Sequence, residues 1–183
     1  MSLITRPLIY DDLLQMPDDG KRYEIIGGEL YVAAAPIRKH QRVSYRLIQQ
    51  IGGFVDELGL GEVYFAPVDV RLGSTDIVQP DIIFIRNDRL HLYQGSVMDG
   101  SPDLIVEILS PSTRSLDLVR KAALYANAGV REYWVADPDA LTLTINVLGE
   151  GMYDPIAATT RTAHSVLLPG LTIDLDTLFA GLE

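Results

Sequence analysis

The run "PDLIVEILSPSTRSLDLVRKAALYANAGVREYWVAD", Pro102 to Asp137, most restricts what this chain can fold into. "LIVEIL" is a short apolar run bounded by turn residues, the pattern of a buried strand. The turn "SPST" follows, with Ser110 and Ser112 as turn and cap residues. Helical spacing comes next, with Leu116, Val119, Ala123 and Ala126 as its apolar face and an end near Gly129. "EYWVAD" is a second strand, closed by Pro138. A helix between two such strands is a crossover that packs back on its sheet. Inside the first strand stands Glu107. An unpaired buried charge is costly, so this carboxylate is expected to be protonated, paired or bound to a cation.

The rest of the chain supplies further elements. Tyr10 to Gln15 reads as a short amphipathic helix, with Asp11 and Asp12 in its first turn. "RYEIIGGELYVAA" reads as a hairpin turning at Gly27-Gly28. Val43, Leu47, Ile51, Phe54, Val55 and Leu58 form one helical stripe, ending at Gly59. "EVYFAPVDVRL" and "QPDIIFI" are strand-like; "LTLTINVLG" and "GMYDPIAA" read as antiparallel strands, and a strand and short helix close the chain. This order predicts a mixed α+β (α/β) fold, organised as a single domain over residues 1–183.

The 183 residues suffice for a real core, and 48% hydrophobic with 22% charged residues is globular composition. There is no cysteine, which removes disulfides, thiolate metal sites and thiol nucleophiles. The N-terminus lacks the basic start and apolar run of a signal peptide, and no stretch of 18 apolar residues exists; the expected location is the cytoplasm, without a membrane span. A net charge of −10 argues against a broad basic surface coating DNA. It leaves room for a small site where metal ions offset carboxylates.

Three acids lie in apolar strand contexts: Asp81, Asp103 and Glu107. Asp103 and Glu107 point to one face, but four strand residues span roughly 13 Å, too far to share one ion. If the strands bearing Asp81 and Glu107 are neighbours, those two carboxylates stand side by side, about 5 Å apart. Asp103 is then a strand-start residue. The competing reading pairs Glu107 with an arginine or with backbone donors. Lys121, on the crossover helix, can reach the end of the Glu107 strand and orient a water or offset phosphate charge; a lone helix lysine is otherwise simply solvated. Glu24 sits in the more buried setting of the hairpin and is a candidate third carboxylate. Glu29 reads as an ordinary hairpin acid, on the opposite face from Glu24 by alternation. His40 reads as structural or as a substrate-side contact. No H-x-x-x-H pair, G-x-S-x-G elbow or phosphate loop is present.

"YEIIGGEL", "QPDIIFI" and the run from Pro102 to Pro138 together resemble the restriction-endonuclease family called Uma-two, of the PD-(D/E)xK nuclease superfamily. The likeness extends from about Tyr10 to Leu178. It implies a restriction-endonuclease-like mixed β-sheet flanked by helices, and a metal-dependent endonuclease hydrolysing DNA phosphodiesters. Asp81 and Glu107 would bind Mg²⁺ or Mn²⁺ with the Ile108 carbonyl. Glu24 would be the early acid of the superfamily. Two residues after Glu107 the superfamily pattern has lysine where this chain has Leu109; Lys121 would take that place. The resemblance also implies a homodimer, to which Tyr133 and Trp134 contribute either interface or core. The alternative is a catalytically silent nuclease fold used for oligomerisation or binding.

Overall fold

The computed structural model describes residues 6–111, 116–156 and 161–182. Its centre is a six-stranded sheet in the order β12-β11-β10-β9-β6-β3. The strands are β3 (Gly61–Phe65), β6 (Ile82–Arg86), β9 (Leu104–Ile108), β10 (Glu132–Asp137), β11 (Thr142–Leu148) and β12 (Tyr153–Ile156). β9 and β10 are parallel, as a crossover demands; the other pairs are antiparallel.

Both faces of this sheet are covered, which is why its strands read as continuous apolar runs. Alternation sends Ile82, Phe84, Leu104, Val106 and Trp134 to one face, against Val43, Leu47, Ile51 and Val55 of α2 (Arg38–Leu58). Ile83, Ile85, Ile105, Tyr133 and Val135 point to the other, against Val70, Val78 and Met98 of a second sheet and Tyr125 of α3 (Ala122–Asn127). Each such aliphatic side chain contributes about 1.5–3 kcal/mol on burial. Tyr133 and Trp134 are therefore core residues on opposite faces and offer no interface.

The second sheet runs β2-β1-β5-β4-β8-β7. It is built from β1 (Arg22–Ile26), β2 (Glu29–Ala33), β4 (Asp69–Gly73), β5 (Asp76–Val78), β7 (Tyr93–Gln94) and β8 (Val97–Asp99). α1 (Tyr10–Leu13) covers β1. β13 (Thr162–His164), β14 (Thr172–Asp174) and α4 (Leu175–Phe179) close the α2 side. The short strands β5, β7 and β8 carry too few residues to show a period in sequence, and the run expected as one strand from Glu62 to Leu72 is two, β3 and β4. No helix among the described residues is long and apolar enough to cross a membrane.

Three local expectations need correcting. Leu58 is exposed, because the last turn of α2 projects past the core. In the crossover helix, Val119 and Ala123 face outward, while Lys121 and Tyr125 face the sheet. A π-helical turn over Leu116–Lys121 precedes α3, and its wider repeat rotates the face that a 3.6-residue period predicts. The side chain of Leu116, and Ser112, lie outside the described residues. Lastly, Glu24 and Glu29 share a face. Ile26 pairs directly with Glu29 across the two-residue Gly27-Gly28 turn, and Ile26 alternates with Glu24. Counting by twos along one strand does not carry through a turn.

Candidate active site

The site lies where β1, the start of β6, the end of β9, and the N-terminal turns of α2 and the crossover helix converge. Ile82 pairs with Val106 in antiparallel register, so Asp81, one step before Ile82, stands opposite Glu107. Asp81 and Glu107 are neighbours across two strands, as their sequence contexts predict. Glu24 reaches the same place from β1. These three carboxylates, with Arg22, His40 and Lys121, line a cavity of about 170 Å³.

The Asp81 carboxylate is 3% exposed and fully engaged. Arg22 Nη1 donates to Oδ1 at 2.6 Å, and the Ile108 N–H donates to Oδ2 at 2.8 Å. His40 Nε2 lies 2.9 Å from Oδ2; a carboxylate only accepts, so Nε2 carries the proton. Burial alone would push the Asp81 carboxyl up. The hydrogen bond and charge of His40, with those of Arg22, outweigh it and hold the group below its ordinary 3.8. Asp81 is thus ionised at neutral pH. Ile108 takes part through its N–H, at the point where β9 outruns β6 and has no ladder partner on that side.

Lys121 joins the other two acids. Its Nζ lies 2.9 Å from Glu24 Oε1 and 3.0 Å from Glu107 Oε1. The Gln79 N–H donates to the same Glu24 oxygen at 2.7 Å, and the Tyr125 hydroxyl to Glu107 Oε1 at 2.6 Å. Burial, then the nearby Glu107 and Glu24 charges, push the Tyr125 phenol far above its normal range, so it stays a donor. The crossover geometry accounts for the reach of Lys121: its helix lies over the strand that ends in Glu107. Leu109, at the position the superfamily gives to lysine, is buried in the core between the sheets.

Asp103 is the strand-start residue expected. It accepts from Arg86 N–H and Arg89 Nη1 at the other end of β9, away from the cavity. Glu29 is exposed and paired with Arg120. Two participants, Arg22 and Tyr125, escaped sequence reasoning, and His40, read as structural or as a substrate-side contact, is a direct partner of Asp81. Arg22 is two residues before Glu24, hence on its face; Tyr125 is one helical turn after Lys121. Periodicity gives the face each lies on, though not its partner. His40 carried no signal beyond preceding a helix stripe.

Among the described residues no three of His, Cys, Asp and Glu converge to hold a metal ion by themselves. The donor chemistry nonetheless fits Mg²⁺ or Mn²⁺. Such ions take one or two carboxylates and keep several waters, and Asp81 and Glu107 are two hard oxygen donors side by side in the cavity wall. Among the described lining residues, three carboxylates face two permanent cations, Arg22 and Lys121, which leaves the cavity negative when His40 is neutral.

No curated protein matches this sequence. A crystal structure of a "putative nuclease" from Anabaena variabilis ATCC 29413 superposes with a TM-score of 0.81 over 97% of this chain and 100% of that one, at 19% identity, and so shares the fold. Residues 10–176 match the family Uma2, described as "putative restriction endonuclease". With that match spanning nearly the whole sequence, the chain belongs to the Uma2 family.

Proposed function

We propose that this protein is a metal-dependent endonuclease that hydrolyses phosphodiester bonds in DNA. The observation that carries this reading is the register of β6 and β9, which sets ionised Asp81 beside Glu107 in the wall of the cavity. Family membership supports the same reaction class. Asp81 and Glu107, with the Ile108 carbonyl, would hold Mg²⁺ or Mn²⁺. When bound, the ion supplies Lewis acidity toward the phosphate and lowers the pKa of water. The chain's own groups do the rest. Lys121, fixed between two carboxylates, orients the attacking water or offsets charge as it grows on phosphate oxygens. Glu24 holds Lys121 in place. Arg22 adds positive charge next to Asp81. Hydrolysis forms one P–O bond from water and breaks one ester P–O bond, leaving a phosphate monoester and a hydroxyl. The working unit is proposed to be one nuclease-like domain acting in the cytoplasm as a homodimer, the latter on the superfamily analogy.

A second reading has support of its own. Glu107 already has Lys121 and Tyr125, and Asp81 already has Arg22 and His40. A silent interaction module would keep such ion pairs for structure alone. Mn²⁺ titration by calorimetry on wild type and Asp81→Ala, with plasmid nicking on the same samples, separates the two. The nuclease reading expects metal binding and nicking in the wild type. In the variant it expects nicking to fall by about 100-fold or more, the scale of one lost electrostatic group at a reacting centre. A wild type that binds no metal would transfer the assignment to the silent module.

A further inference from the structure

α2 begins at the cavity and is unusual in its charges. Between Glu29 and Asp56 the chain carries Arg38, Lys39, Arg42 and Arg46 and no acid, in a molecule with 25 acids and a net charge of −10. A helix N-terminus carries partial positive charge and is normally stabilised by acids and an N-cap side chain. Here the first turn has no acid, and the N-cap, Ile37, has no side chain able to accept. The first intrahelical bond runs from the Gln41 N–H to the Ile37 carbonyl, so the N–H groups of Arg38, Lys39 and His40 have no acceptor within the helix. Lys39 is held by Asp139; Arg38 and Arg42 are exposed, with no acid against either among the described residues.

Two further observations bear on this turn. His40 is 6% exposed and lines the cavity, and its Nδ1 is buried without a hydrogen-bond partner among the described residues. On the opposite side of the helix, Arg38, Arg42, Tyr45 and Gln49 recur at i, i+4, i+7 and i+11 and are all exposed, Tyr45 at 57%. That stripe is about 16 Å long, roughly five base-pair steps. A row of unpaired guanidinium groups with an exposed tyrosine matches a phosphate backbone in charge and in hydrogen-bond donors.

We propose that the first three turns of α2 are a docking track for the backbone of duplex DNA, leading one strand from Arg42 and Arg38 past the helix N-terminus to the cavity. The track bears on how an acidic protein meets a polyanionic substrate: two guanidinium groups with no acid against them among the described residues stand together on one helix edge. It rests on the nuclease reading for its destination, but binding is measured apart from cleavage.

The test is fluorescence anisotropy of a labelled DNA duplex in EDTA over a salt series, with Mn²⁺-dependent plasmid nicking assayed separately. Arg38→Gln/Arg42→Gln is expected to weaken binding by about ten-fold or more at low salt and to flatten the log–log salt slope by about 2, one for each phosphate contact removed. Arg38→Lys/Arg42→Lys keeps the charge and is expected to keep most of the affinity. Arg86→Gln, at the far end of β6 from Asp81, is expected to bind as wild type. Both track positions are exposed, so melting curves should be unchanged. Wild-type affinity and slope in the Gln double variant, or a wild type that does not bind in EDTA, overturns the track. Nicking lost in Asp81→Ala with binding intact leaves the track standing, and absent nicking with intact binding removes only the nuclease reading.

Discussion

At the scale of single residues, the site is a set of charges paired in two groups, Asp81 with Arg22 and His40, and Lys121 with Glu24 and Glu107. Lys121 is the link between Glu24 and Glu107, and all three are at most 4% exposed. Removing one member of a buried pair strands the other, so Lys121→Met is expected to cost about 3–5 kcal/mol. Urea unfolding at neutral pH in EDTA measures this, and a loss below about 1 kcal/mol would mean that hydrogen bonds alone satisfy the two glutamates. Much of this group was legible from sequence. Asp81 and Glu107 announced themselves as acids inside apolar strands, and Lys121 as a cation on the element that must fold back over one of them. The role of Arg22 was not, because an arginine at a strand start looks solvated until its partner strand is known. His40 stayed ambiguous for a related reason: its partner is 41 residues away, across a contact that no local period encodes.

At the scale of elements, hairpin β1–β2 is the support on which Glu24 and Arg22 are presented. Gly27 and Gly28 have φ of 60° and 77°, the pair of positive angles that a two-residue turn between twisted strands requires. Gly28 has a second constraint: a Cβ there would come within 2.5 Å of Pro7 Cβ, in the segment that leads into α1. Gly28→Ala is therefore expected to destabilise by about 1–3 kcal/mol through strain. Thermal melting of this variant beside Gly27→Ala tests the account, since only position 28 meets Pro7. Equal losses at both positions would leave conformation as the whole effect. The hairpin was plain in sequence because Gly-Gly between alternating residues is a strong local code. The inward face of the crossover helix was not, since one wide turn shifts every later side chain and composition does not reveal it.

At the scale of the molecule, the two cores share one sheet. Trp134, the sole tryptophan, reports on the α2 side, while Tyr125, Tyr133 and Tyr153 pack together on the other. Backbone alternation along β6, β9 and β10 ties the two sides, so neither can melt while the other persists. Tryptophan fluorescence and near-ultraviolet tyrosine circular dichroism are expected to give coincident denaturation curves. Separate midpoints would show that the second sheet opens alone. The central sheet was readable from apolar runs. In the second sheet β5, β7 and β8 were hidden, because strands of two or three residues acquire their partners only from the surface they land on.

The crossover that carries Lys121 also sets an order of events. Glu24, Asp81 and Glu107 are all made before Lys121, which lies 97 residues after the first of them. In synthesis Arg22 and His40 precede Asp81, so that acid finds its partners already made, whereas Glu24 and Glu107 precede the cation they share. Only when the crossover helix emerges does an ammonium group arrive to draw them together. Lys121 thus works as a latch closed late in synthesis, and a chain interrupted before it would carry Glu24 and Glu107 without the cation they share.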